Sequence, residues 1–122
     1  ASVAVGFALA VTHPAAGNLG GGGFMMIRLG NGEMTCIDYR ERAPSAASKN
    51  VYLGSSGSLI PGASTQGYRA SGVPGTVAGL CLALRKHGKL SLREVMQPAI
   101  DLAEKGFPVS NHLSQSLKDH AS

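Results

Sequence analysis

The chain has 122 residues, a formal net charge of +4 and 15% charged residues, which suffices for one domain of ordinary size. The basic excess is scattered: only Arg85, Lys86 and Lys89 cluster, and three Tyr, three Phe and no Trp leave no basic-aromatic interleaving. That composition reads as solvated surface and argues against a nucleic-acid partner.

In chain order, the first element is a helix. Val3, Phe7, Ala10 and Val11 share one helical face, and the opposite face is nearly as apolar. A helix apolar all round is expected to be buried. His13-Pro14 ends it, because proline disfavours helical geometry in the residue before it. The stretch "ASVAVGFALAVTHPAA" lacks the basic leader of a signal peptide and is shorter than the ~20 apolar residues a membrane span needs. It reads as a core helix. A start at Ala1, apolar and without methionine, suggests a piece cut from a longer chain.

Four glycines follow, Gly20 to Gly23, in "GNLGGGGFMMI". Glycine loops cradle phosphate where a strand enters and a helix N-terminus leaves. The order here is inverted, helix before and strand after, and no Gly-Lys-Ser/Thr follows. Nucleotide binding is set aside. Next come "GFMMIRL" and "EMTCIDYR", two short apolar-rich runs around Gly30-Asn31-Gly32. They predict a β-hairpin. Neither face of either strand is cleanly polar, so the pair is expected inside a sheet covered on both sides.

Residues 41–75 are rich in Gly, Ser and Pro and predict a long loop with at most one helical turn. A loop of that length in a compact domain is usually functional or mobile. Helix resumes at Pro74, with Val77, Leu80, Cys81 and Leu84 as its apolar stripe and Gly88 as a C′ glycine. Ser91 and Glu94 form a capping-box signature ahead of a stripe made by Leu92, Val95, Met96, Ala99, Ile100 and Ala103. Pro98 predicts a kink or two short helices there, and Gly106 closes the element. Ser110 is placed to cap a last helix that buries Leu113 and Leu117. Cys36 and Cys81 fall in predicted apolar elements with no C-x-x-C spacing, and they read as buried free thiols.

Familiar catalytic patterns fail. "GSSGS" is not G-x-S-x-G, no S-x-x-K occurs, and His87, His112 and His120 lack metal-type spacing. No metal and no cofactor is implied. The end of the second strand differs. "IDYRERAP" sets Asp38, Arg40 and Glu41 where a rigid strand meets a long loop. Arg40 offers a planar fork suited to a carboxylate. The residues alone leave two readings open, a structural ion pair with Asp38 or Glu41 and a ligand-binding arginine.

"GNLGGGGFMMIR", "IDYRERAP", "ASGVPGTVAGLCLALRKHGKL" and "QPAIDLAEKGFPV", in that order and spacing, resemble the large subunit of γ-glutamyltransferase, also called glutathione hydrolase. The resemblance covers essentially the whole chain. It implies an α+β fold, part of the αββα sandwich of an N-terminal nucleophile hydrolase, with residues 1–122 a single partial domain. It also implies a proenzyme that cleaves itself into large and small subunits. An N-terminal Thr of the small subunit, outside this chain, then carries the γ-glutamyl group from glutathione or another γ-glutamyl compound to water, an amino acid or a dipeptide. No catalytic residue is expected in this chain, and the chain alone is expected to be inactive. Arg40 is implied to hold the donor's α-carboxylate. The glycine run is implied to be a packing device where no Cβ fits. The family further implies a periplasmic or extracellular location. Cephalosporin acylases and poly-γ-glutamate-processing enzymes share parts of these motifs and form one alternative. A non-catalytic module with a structural Arg40 forms another, of a different class.

Overall fold

A computed structural model describes residues 1–121. Its elements are α1 (Ser2–Thr12), β1 (Phe24–Arg28), β2 (Met34–Asp38), α2 (Thr76–His87), α3 (Leu92–Lys105) and α4 (Asn111–His120). A single 3-10 turn, Tyr68–Ala70, lies in the long loop, as its composition predicts.

The hairpin is antiparallel, pairing Phe24 with Asp38 and Arg28 with Met34. Its turn is closed by the Leu29 N–H on the Glu33 carbonyl (2.8 Å) and by Asn31 Oδ1 accepting from Glu33 N (3.0 Å). Met25, Ile27 and Ile37 face the helices, and Ile37 is buried. The core is Val3 and Phe7 of α1, Ile37, Leu80 and Ala83 of α2, and Val95 and Ala99 of α3. Helix α1 packs chiefly on α3 and also on α2, while α2 reaches β2.

Three expectations about burial are corrected. The hairpin is covered on one face only: Phe24, Met26 and Met34 are 60%, 67% and 66% exposed on the other. Cys36, opposite Met26 in register, lies on that open face, so it is an exposed free thiol, whereas Cys81 is half-buried. Helix α1 buries Val3 and Phe7 but leaves Val5 and Leu9 exposed. The cause is common to all three, since helices pack on one side of the strands only.

Helix α2 starts two residues after Pro74 and turns a different face inward. Thr76, Gly79, Leu80 and Ala83 are buried, and Val77 is exposed. The i, i+3, i+4, i+7 spacing holds, offset by one residue from the expected stripe. Gly88 is extended (φ −84°), so it is not a left-handed cap, whereas Gly106 ends α3 at φ +78°. Helix α3 runs through Pro98 unbroken. An internal proline typically costs ~3 kcal/mol, and the burial of Val95 and Ala99 against the core holds the helix across it. The α4 cap is as predicted, with Ser110 Oγ accepting from Leu113 N (3.2 Å), but Leu117 is exposed and Leu113 only half-buried.

The capping box is complete. Ser91 Oγ accepts from Glu94 N (3.3 Å), while Glu94 Oε2 accepts from Ser91 Oγ (2.6 Å) and Ser91 N (2.8 Å). The Ser91 hydroxyl, then the Ser91 N–H, holds the Glu94 carboxyl below its ordinary range. A carboxyl depressed in the folded state stabilises fully above its unfolded value, and the gain disappears as pH falls through the lowered folded value. Amide-exchange protection of the first turn of α3 is therefore expected to weaken below about pH 4. In Glu94→Gln, which keeps an acceptor but does not titrate there, the protection is expected to stay flat across that range. A wild-type profile as flat as the variant's would remove Glu94 from the cap.

Candidate functional site

The backbone that leaves β2 is held from two sides. On one side, Tyr39 N donates to the Gly23 carbonyl (3.0 Å) and the Tyr39 hydroxyl to the Phe24 carbonyl (3.3 Å). A Cβ on Gly22 would lie 2.7 Å from the Tyr39 carbonyl oxygen and 2.7 Å from Glu41 N. On the other side stands α2. A Cβ on Gly75 would collide with the Tyr39 carbonyl, and one on Gly79 with the Tyr39 side chain. Beyond the clamp, Arg42 and Val73 exchange two backbone hydrogen bonds, 3.1 and 2.7 Å. Strand pairing is thus prolonged past the formal end of β2, and the residue between Tyr39 and Glu41 sits on a fixed mount.

The glycine run joins this mount to α2. The Gly21 carbonyl accepts from Gly75 N (2.9 Å) and Thr76 N (3.0 Å), which satisfies two of the N–H groups that a helix start leaves unpaired. Asn18 Oδ1 accepts from Gly21 N (2.8 Å) and from the Thr76 hydroxyl (2.7 Å). Three donors at this corner, the N–H groups of Gly21, Gly75 and Thr76, are engaged within the chain. A Cβ at Gly21 or Gly22 would meet neighbours within 2.7 Å, so close packing excludes a side chain there, whereas Gly20 stands open.

Arg40 is the residue on the mount. Its backbone N–H donates to Asp38 Oδ1 (3.0 Å) in an Asx-type turn. Its side chain is exposed, and the guanidinium lies 5.9 Å from the centroid of the Phe24 ring. Neither Asp38 nor Glu41 forms an ion pair with it. Among the described residues the ion pair present is Lys105–Asp101, at 3.1 Å within α3. Of the two readings open for Arg40, the structural pair with Asp38 or Glu41 is not formed among the described residues.

Beside Arg40 lies a cleft of about 330 Å³ between the strand exit and α2, lined in part by Asp38, Arg40, Arg42, Ala78, Leu82 and Arg85. Arg42 and Arg85 were not singled out by sequence as site residues. The alternation Asp38, Arg40, Arg42 along an extended segment carried a signal for the first. Nothing local marked the second, because Arg85 suits a helix end. His87, His112 and His120 are not brought together, and among the described residues no group of His, Cys, Asp or Glu is arranged to hold a metal. No helix among them is long and apolar enough to cross a membrane.

Comparison with known proteins gives this geometry a family. The family model for gamma-glutamyltranspeptidase matches residues 1–122. The chain belongs to that family. It is 53% identical over 122 residues to the glutathione hydrolase proenzyme of Escherichia coli, covering all of this chain and 21% of that protein. It superposes on the crystal structure of Helicobacter pylori gamma-glutamyltranspeptidase with a TM-score of 0.85 and 52% identity, covering 97% of this chain and 34% of that one. A Pseudomonas acylase ACY 1 proenzyme is 39% identical over 127 residues, covering 99% of this chain and 23% of that protein. The chain therefore spans about a fifth of the length of the glutathione hydrolase proenzyme it matches. Its α+β fold is the corresponding part of an N-terminal nucleophile hydrolase, as the four quoted motifs imply.

Proposed function

We propose that residues 1–122 are one partial domain in the large subunit of a γ-glutamyltransferase, and that Arg40 grips the α-carboxylate of the γ-glutamyl donor. The observation that carries this reading is an unpaired guanidinium on a backbone clamped from both sides. A bidentate charge-assisted pair there fixes both the position and the orientation of the donor. The donor is glutathione or another γ-glutamyl compound. Its acyl group passes through an N-terminal Thr of the small subunit to water, an amino acid or a dipeptide. The proenzyme names of the relatives support a partner subunit released by self-cleavage. The apolar open face of the hairpin supports a partner layer. A periplasmic or extracellular location belongs to the same proposal and is supported by the family resemblance.

The test uses the complete proenzyme that carries this chain. It is expected to cleave itself and to release chromophore from a γ-glutamyl anilide. A 4-aminobutyryl anilide, which lacks only the α-carboxylate, is expected to be at least about thirtyfold poorer in kcat/KM, since losing one partner of a desolvated charge pair typically costs ~2–5 kcal/mol. Equal use of both donors would sink the role of Arg40 and favour the acylase reading that the ACY 1 relative supports.

A further inference from the structure

We infer that Arg42 and Arg85 extend the Arg40 site into a subsite for further carboxylates, so that the enzyme favours γ-glutamyl donors with an acidic leaving group. The inference rests on the proposed role of Arg40. Three arginines line one cleft of about 330 Å³, a size within the range of small-molecule sites. Against them stands a single lining carboxylate, Asp38, and one of its oxygens already accepts from Arg40 N–H. None of the three arginines is in an ion pair among the described residues.

The arrangement is built rather than incidental. Arg40 and Arg42 are two apart on an extended segment, and the backbone of Arg42 is fixed to Val73 by two hydrogen bonds. Arg85 comes from a separate element, three residues beyond Leu82 on α2, which lines the same cleft. Like charges held side by side in a concave site raise the local potential and draw anions. One α-carboxylate engages one guanidinium fork. Two forks remain, and a γ-linked acidic leaving group such as glutamate brings two more carboxylates to them. The wall beside them is apolar, with Ala78 and Leu82, and suits the methylenes between those carboxylates.

The probe pair is γ-glutamylglutamate and γ-glutamylglutamine, nearly the same in shape and different by one charge. In the complete enzyme the ratio of their kcat/KM values is expected to favour the glutamate compound and to shrink as salt rises. In Arg42→Gln combined with Arg85→Gln the ratio is expected to fall about fivefold, the scale of exposed charge pairs, and to lose its salt dependence. Arg42→Lys with Arg85→Lys keeps the charge without the fork and is expected to lie between. Both side chains are exposed, and the link of Arg42 to the fold runs through its backbone, so the lysine pair serves as the second variant should the glutamine pair fold poorly. An unchanged ratio in folded double variants overturns the subsite and returns the cleft to a surface facing the rest of the protein. A γ-glutamyl anilide measured on Arg40→Lys separates the two failures. If its KM rises while the ratio in the double variant stays constant, the Arg40 reading stands and only the subsite is lost.

Discussion

Arg40→Ala in correctly processed enzyme is expected to raise KM for a γ-glutamyl anilide by very roughly thirty-fold to several thousand-fold, with Arg40→Lys smaller and in the same direction. The range follows from the ~2–5 kcal/mol typical for truncating one partner of a desolvated, hydrogen-bonded charge pair. Lysine restores the charge but presents a point donor where the carboxylate needs two parallel ones. The α-carboxylate is held before acyl transfer and during it, so uniform binding is lost and KM carries most of the effect. Self-cleavage uses no donor and is expected to be spared. Steady-state kinetics on both variants, with subunit release followed on a gel, checks this. Unaltered donor KM in both, with normal processing, would leave the mount without the ligand proposed for it.

What the sequence disclosed, and what it hid, divides along a physical line. The hairpin, the Ser91–Glu94 box and the Ser110 cap are local: each is specified by residues within a few positions of one another, and each lies where the pattern places it. Arg40 was legible for a related reason, since a charged residue at a strand end stands out from the run before it. Facing is not local. Whether Val77 or Thr76 turns inward depends on the Tyr39 ring, which comes from another element and demands Gly79 beneath it. The exposure of Cys36 depends on which face of the hairpin the helices cover. Arg85 joins the cleft only because α2 is docked on the strand exit, a contact made across more than forty residues of sequence. Pro98 shows the same rule from the opposite side, because buried contacts of α3 override a strong local breaker.

The clamp around Tyr39 gives a sharp contrast between glycines. Gly79→Ala is expected to be severe and Gly20→Ala nearly silent, although both add a single methyl group. A Cβ on Gly79 would overlap the Tyr39 side chain, whose hydroxyl donates to the Phe24 carbonyl and whose backbone N–H is held by the Gly23 carbonyl. Nothing lies within 4 Å of a Cβ on Gly20. The two positions separate packing from sequence character, since Gly20 belongs to the conspicuous run of four and Gly79 stands alone inside a helix. Overpacking a tight site typically costs ~1–3 kcal/mol, and helix propensity returns at most ~1 kcal/mol when alanine replaces glycine. At Gly79 the strain outweighs that gain, so Gly79→Ala is expected to lower the yield of processed enzyme and to shift α2 away from the strand exit. In the enzyme that survives, Arg40 moves with its mount, and donor KM is expected to rise while Gly20→Ala keeps the wild-type value. Thermal unfolding and donor kinetics on the two variants side by side decide the matter. A Gly79→Ala enzyme as stable and as tight for donor as Gly20→Ala would mean that the Tyr39 clamp does not position Arg40.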